Sequence, residues 1–212
     1  MRDARLDRRA LVAEILERRG DAAVVAGLGS AAWDCHAAGD SPLNFYFWGA
    51  MGGAAMLGLG VALARPTRRV LVVTGDAELL MGVGSLATIA AQAPSNLALL
   101  VLDNEAFGET GRQAGLTGKN TDIAAIARGA GIASAFTVGG EVEVGSAGLN
   151  VQEGSAETDI DAPAATLAAT LFEEEGPVLC VAKVALGAEP DSYPPRDGVL
   201  LQARFRAALA GD

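Results

Sequence analysis

Asp76 and Asn104 are the residues of this chain best suited by type and spacing to do chemistry. Asp76 lies in Gly75-Asp76-Ala77, directly after the apolar run 70–74, and Asn104 follows it by 28 residues, after a second apolar run, 97–102. The two runs, with room for a crossover helix between them, read as neighbouring parallel strands. Their tips then bring a carboxylate and a carboxamide to one edge of a sheet, the edge at which open α/β sheets bind ligands. Such oxygen donors suit a hard cation such as Mg²⁺, with a diphosphate completing its octahedron. A Gly-Asp pair after a strand also suits an ordinary turn, so the surrounding residues decide.

Those residues read as a succession of strands and helices. Residues 6–19 carry apolar side chains at helical spacing and stop at Gly20. A short buried strand is expected over 22–26, a helix from Ser30 to about Gly39, and a second strand over 44–47. Residues 49–64 form a Gly/Ala-rich stretch, read as a helix ended by Arg65-Pro66. Its small residues would let it lie close to a sheet or to another subunit. After the strand at 69–74, residues 77–93 make the crossover of a right-handed βαβ unit, stopped by Pro94. The strand at 97–102 and a loop over 105–121 follow. Next comes a helix over 122–129 with Thr121 as its N-cap, then a strand over 133–138. Residues 163–175 read as a helix with Pro163 in its first turn, 176–182 as the last core strand, and 200–209 as a closing helix. The expected fold is α/β: a three-layer, doubly wound, mostly parallel sheet in a single domain over residues 1–212.

One stretch departs from this pattern. Residues 139–161 are rich in Gly, Ser and acid, and no Lys or Arg occurs between Arg128 and Lys183. Nine acids in that window carry nearly all of the net charge of −10. It reads as a solvated insertion, although the alternation 141–144 also suits an extra hairpin strand. The acidic balance disfavours nucleic acid or an anionic membrane as partner. Cys35 and Cys180, far apart and in apolar surroundings, read as reduced and structural. The N-terminus lacks an apolar signal core, and apolar stretches break well before about 18 residues. No transmembrane helix is expected, and the expected location is the cytoplasm.

The flanks of the Asp76 motif carry a resemblance. Trp48-Gly49-Ala50-Met51-Gly52 precedes it by one βα unit, and Asn104-Glu105-Ala106-Phe107-Gly108-Glu109-Thr110-Gly111 follows it. Together these resemble the diphosphate-binding domain of thiamine-diphosphate (ThDP) enzymes, over roughly residues 22–186. The narrower resemblance is to the sulfopyruvate decarboxylase β subunit and the C-terminal half of phosphonopyruvate decarboxylase. It is carried by Asn44-Phe45-Tyr46, residues 49–52, Asp103-Asn104-Glu105, Gly111 with Gln113, and residues 117–121.

The resemblance implies a ligand set. Asp76, Asn104 and the Ala106 carbonyl would hold Mg²⁺ bridging the two phosphates. The backbone amides of Ala77 and Glu78, following Gly75, would face phosphate oxygens, and the turn Phe107-Gly108-Glu109 would add amides. The Gly49 carbonyl would accept from the 4′-amino group, and Met51 would pack beneath the bent cofactor. Without the resemblance, Met51 reads as a plain core methionine. Three residues depart from the pattern: Ala77 stands for glycine and requires a negative φ, Gly53 stands for a larger residue, and Leu116 stands for a histidine expected near the substrate. His36, the only histidine, reads as a surface or capping residue, and Trp33 and Trp48 as core or interface residues. Arg112 and Lys119, the cations nearest the motif in sequence, suit either a solvated loop or a substrate anion.

The glutamate that activates the cofactor's pyrimidine ring sits on a separate domain in this family. The resemblance therefore implies a pyrimidine-binding α subunit and an (αβ)n hetero-oligomer. The expected function is the ThDP- and Mg²⁺-binding subunit of a 2-oxoacid decarboxylase. Three alternatives stay open: a subunit of an acetolactate synthase-like carboligase, a catalytically degenerate scaffold, and a nucleotide-binding domain suggested by Gly27-Leu28-Gly29. The last is a weak signal without a third spaced glycine.

Overall fold

A computed structural model describes residues 5–139, 161–187, 190 and 192–211. The chain runs α1 (Arg8–Glu17), β1 (Ala23–Ala26), α2 (Ser30–Ala37), β2 (Asn44–Tyr46), α3 (Ala54–Ala64), β3 (Val70–Gly75), α4 (Asp76–Met81) and α5 (Ser85–Gln92). It continues through β4 (Leu97–Asp103), β5 (Ala106–Phe107), a 3₁₀ turn (Gly108–Thr110), β6 (Gln113–Ala114), α6 (Ile123–Ala130), β7 (Ser134–Val138), α7 (Asp161–Glu173), β8 (Val178–Lys183) and α8 (Gly198–Ala210). Six strands form one sheet in the order β2-β1-β3-β4-β8-β7, each neighbour parallel, while β5 and β6 make a small antiparallel pair.

Alternation along the central strands explains the three layers. Val24, Ala26, Leu71, Val73, Leu100 and Cys180 face a core shared with α1, α2 and α7. Val25, Val70, Val72, Leu99 and Val181 face another, shared with α3, α5 and α6. Both faces of β4 are covered, so its seven residues are all buried, as a continuous apolar run in a parallel sheet requires. Cys35 and Cys180 are buried, unpaired thiols, and burial pushes both well above the usual thiol range.

The strand order sets the site's position. From β1 the chain steps outward to β2 and returns on the other side to β3. The crevice at the C-terminal ends of β1 and β3 is therefore the switch point at which such sheets take ligands.

Three expectations are corrected. The helix expected over residues 49–64 begins only at Ala54, because Ala50 (φ 55°) and Gly52 (φ 90°) lie in the left-handed region and bend residues 49–53 into a turn. That turn is held by a close backbone approach: a Cβ on Gly82 would lie 2.2 Å from the Gly52 carbonyl oxygen. The N-cap of α6 is Asp122, not Thr121; its backbone is extended and its carboxylate accepts the Ala125 N–H. The expected crossover helix is split into α4 and α5 at residues 82–84. The acidic insertion, with its expected hairpin strand at 141–144, lies outside the described residues but for its two ends. Among the described residues no helix is long and apolar enough to cross a membrane.

Candidate functional site

Registry between β3 and β4 pairs Thr74 with Val101 and Gly75 with Leu102, so both strands end at one level. Asp76 opens α4 directly beyond β3, and Asn104 follows β4 by one residue. Asp76 is 3% exposed. Burial, and after it the neighbouring Asp103 carboxylate, push its pKa up to about 6 against hydrogen bonds from Thr117 and backbone amides. A buried carboxylate raised in this way gains from a cation beside it. Ala77 has a negative φ within α4, so alanine is accommodated where the family pattern has glycine.

The loop after β4 is built around Asn104. Its Oδ1 accepts the Ala106 N–H at 3.0 Å, closing an Asx turn. The carbonyls of Glu105 and Phe107 face β6, accepting from Gly115 and Arg112. By strand alternation the Ala106 carbonyl points away from β6, toward the side of Asn104. Glu105 adopts a positive φ of 59°, unusual for a side chain of its size. Two cations hold it there: Lys183 Nζ lies 2.8 Å from Oε1 and Arg5 Nη2 lies 2.6 Å from Oε2. Burial pushes the Glu105 carboxyl up, but these two hydrogen bonds outweigh it and hold it below its ordinary value. Lys183 also reaches Asp103 Oδ2 at 2.8 Å.

Amide donors lie across the crevice. The β1–α2 loop brings Gly27 and Gly29 close to two glutamates: a Cβ on Gly27 would fall 1.8 Å from Glu78 Oε2, and one on Gly29 would fall 1.5 Å from Glu109 Oε1. Glu78 is 3% exposed. Thr74 Oγ1 donates to its Oε2 at 2.7 Å, while among the described residues Oε1 meets no donor in hydrogen-bond geometry. Burial raises the Glu78 carboxyl against Thr74 and the nearby amides of Gly75, Leu28 and Gly52. Burial also raises Glu109. A cavity of about 210 Å³ opens beside this loop, lined by Ser30, Trp33, Asn104, Gly108, Glu109 and Arg112 among others.

The sequence-derived residues thus divide by place. Gly75, Asp76, Ala77 and Glu78 lie at the tip of β3, and Asn104, Ala106, Phe107, Gly108 and Glu109 on the loop after β4. Gly49 and Met51 lie on the turn braced against Gly82. Arg112 lines the cavity, whereas Lys119 is exposed on the following turn. His36 stands apart, bonded to Ser192 at 2.7 Å and edge-on to Tyr46. Trp33 lines the cavity, and Trp48 donates to the Pro195 carbonyl. Sequence reasoning missed what the carboxylates of Asp103 and Glu78 touch, the part played by Lys183, and the nearness of Gly27 and Gly29 to the site. The one signal for the glycines was the Gly27-Leu28-Gly29 spacing, read as a weak nucleotide motif.

The donor set fits a magnesium-bound diphosphate in kind. Among the described residues no three His, Cys, Asp or Glu side chains could hold a metal ion by themselves. The expected set needs only one carboxylate, with a carboxamide and a carbonyl. The glycines beyond β1 let the Glu78 and Glu109 carboxylates lie against the backbone of that loop.

Comparison with known proteins agrees. Residues 28–181 match the family described as thiamine pyrophosphate enzyme, C-terminal TPP binding domain. The chain is 39% identical over 123 residues to sulfopyruvate decarboxylase subunit beta of Methanocaldococcus jannaschii, covering 58% of this chain and 65% of that protein. It is 48% identical over 111 residues to phosphonopyruvate decarboxylase of Streptomyces viridochromogenes, covering 52% of this chain and 28% of that protein. The matched segment therefore spans less than two thirds of each of these relatives. The fold is shared with benzoylformate decarboxylase of Polynucleobacter necessarius, at TM-score 0.63 and 16% identity, over 87% of this chain and 34% of that one. The chain belongs to the thiamine pyrophosphate enzymes through this C-terminal TPP-binding domain.

Proposed function

We propose that this member of the thiamine pyrophosphate enzymes is the ThDP- and Mg²⁺-binding subunit of a 2-oxoacid decarboxylase acting on 3-sulfopyruvate- or 3-phosphonopyruvate-like substrates. The observation that carries the reading is the shared level of the β3 and β4 tips, which sets Asp76 and Asn104 on adjacent loops of the switch-point crevice. The identity to the sulfopyruvate decarboxylase beta subunit supports the narrower substrate class.

In this reading Asp76, Asn104 and the Ala106 carbonyl hold the cation. The amides of Ala77, Glu78 and the turn Phe107-Gly108-Glu109 bind the phosphates, with Gly75 beside them at the tip of β3 leaving open space where a side chain would stand. The Gly49 carbonyl orients the aminopyrimidine and Met51 supports it from below. When bound, ThDP supplies an electron sink for the carbanion left by loss of CO₂. The protein's own part is to position the cofactor and keep its charged tail neutralised. The activating glutamate comes from a pyrimidine-binding α subunit in an (αβ)n assembly, and the whole 1–212 chain serves as one diphosphate-binding domain working in the cytoplasm.

Calorimetric titration with ThDP and Mg²⁺, followed by assay with and without the co-expressed partner, tests the reading. Magnesium-dependent ThDP binding, with decarboxylation of sulfopyruvate or phosphonopyruvate only when the partner is present, is the expected result. A chain that takes up neither ThDP nor Mg²⁺ would be a scaffold, and full activity from this chain alone would remove the partner.

A further inference from the structure

Thr117 stands between two carboxylates. Its hydroxyl oxygen lies 2.9 Å from Asp76 Oδ2 and 2.7 Å from Asp103 Oδ1. All three residues are buried: Thr117 is 7% exposed, Asp76 3% and Asp103 1%. A hydroxyl carries one proton and can donate to only one acceptor at a time. Asp103 does not depend on it, because Lys183 Nζ serves Oδ2 at 2.8 Å and the Glu105 N–H serves Oδ1 at 3.1 Å. Asp76 is served differently. Among the described residues Thr117 is its side-chain donor, and its other hydrogen bonds come from the backbone amides at its own position and at Ala77.

The terminal torsion of an aspartate is broad and roughly two-fold, so backbone geometry alone leaves the carboxylate plane poorly fixed. A bond to a rigid neighbour fixes it. Thr117 is such a neighbour: β-branched and buried, with its proton left for Asp76 because Lys183 and the Glu105 N–H already serve Asp103.

We propose that Thr117 is a positioning residue for the cation: its hydroxyl pins Asp76 Oδ2 and so turns the carboxylate to present Oδ1 toward Asn104 and the Ala106 carbonyl. The inference rests on the reading of Asp76 as a magnesium ligand and adds to it the residue that aims that ligand.

The test is Mg²⁺ titration of the full chain at saturating ThDP, comparing wild type with T117V, T117A and T117S, each also melted without metal. Outer partners of metal ligands typically contribute about 10–100-fold in metal affinity. A loss in that range is expected for T117V and T117A, with T117S within about twofold of wild type because the hydroxyl is kept. T117A carries the comparison if T117V fails to fold. Wild-type affinity in T117V or T117A overturns the proposal. So does a loss in T117S equal to that in T117V, since packing rather than the hydroxyl would then be responsible. A wild-type chain that takes up no Mg²⁺ with ThDP refutes the reading of Asp76 itself, a separate result from either.

Discussion

Gly27 is glycine because a carboxylate lies against it. With Glu78 Oε2 only 1.8 Å from where a Cβ would stand, an added methyl must push the buried carboxylate off its bond from Thr74. G27A is expected to destabilise the chain by about 1–3 kcal/mol, the usual cost of overpacking, and to weaken ThDP binding by moving the β1–α2 loop. A denaturation series with a parallel cofactor titration measures both, and unchanged binding would detach this loop from the cofactor. At this scale the sequence was legible where a residue's type and its neighbours along the chain sufficed. Asp76 and Asn104 stood out because each ends an apolar run. Thr117 did not, since it meets Asp76 across a separation of 41 positions that only the folded sheet brings together. The Glu78 carboxylate was hidden for the same reason: one residue from Ala77, it was read for its amide alone.

Among the elements, β3 and β4 were legible nearly to the residue, because strands covered on both faces are continuous apolar runs bounded by polar residues. The start of α3 was not. Ala50 and Gly52 take left-handed conformations that composition does not reveal, and an Ala/Gly-rich stretch reads as helix throughout. The same helix supplies a test in which two effects oppose each other. Gly58 is mid-helix, so alanine there would gain up to about 1 kcal/mol of helix propensity. Its Cβ would lie 2.1 Å from Val72 Cγ2, a buried β-branched side chain on β3 with little freedom to turn. The clash, at about 1–3 kcal/mol, wins, and G58A is expected to lower the urea midpoint. An unchanged or higher midpoint would show that α3 can slide off the sheet.

A second element-scale prediction concerns α8. Arg204 grips Asp40 through two hydrogen bonds of 2.7 Å, fastening this helix near the start of β2. The bonds from Arg204 hold the Asp40 carboxyl below its ordinary value. A carboxylate lowered by folding contributes its stabilisation in full above the unfolded value, near 4, and loses it as the pH falls through the lower folded value. Because the pair is partly exposed, the contribution is at most about 1 kcal/mol. R204Q is therefore expected to lower stability slightly at pH 7 and to narrow its gap from wild type toward pH 2–3. A gap constant with pH would deny the pair any electrostatic part.

For the molecule as a whole, both thiols report on global opening. Cys35 and Cys180 lie in one core cluster beneath the sheet, fully buried. Alkylation at neutral pH is expected to proceed only as fast as that core opens, and to slow as stability rises. Rapid labelling of either thiol in the native protein would mean that this half of the core opens locally. The layered architecture was legible from the alternation of apolar runs and helical stretches. The β3–β4 pair was legible too, but the rest of the order β2-β1-β3-β4-β8-β7 was not, since it depends on side-chain packing between distant segments. That order creates the crevice, so the sequence set two strand tips side by side without showing that they flank a switch point.

Lys183 sets a limit on transplanting this loop. The hairpin from Asn104 to Ala114 looks like a self-contained cassette, yet the left-handed backbone at Glu105 is clamped by an ammonium from a strand some eighty positions downstream. An engineer who grafts that hairpin onto a foreign scaffold must import the distant lysine as well, or the knuckle will relax and take the asparagine with it.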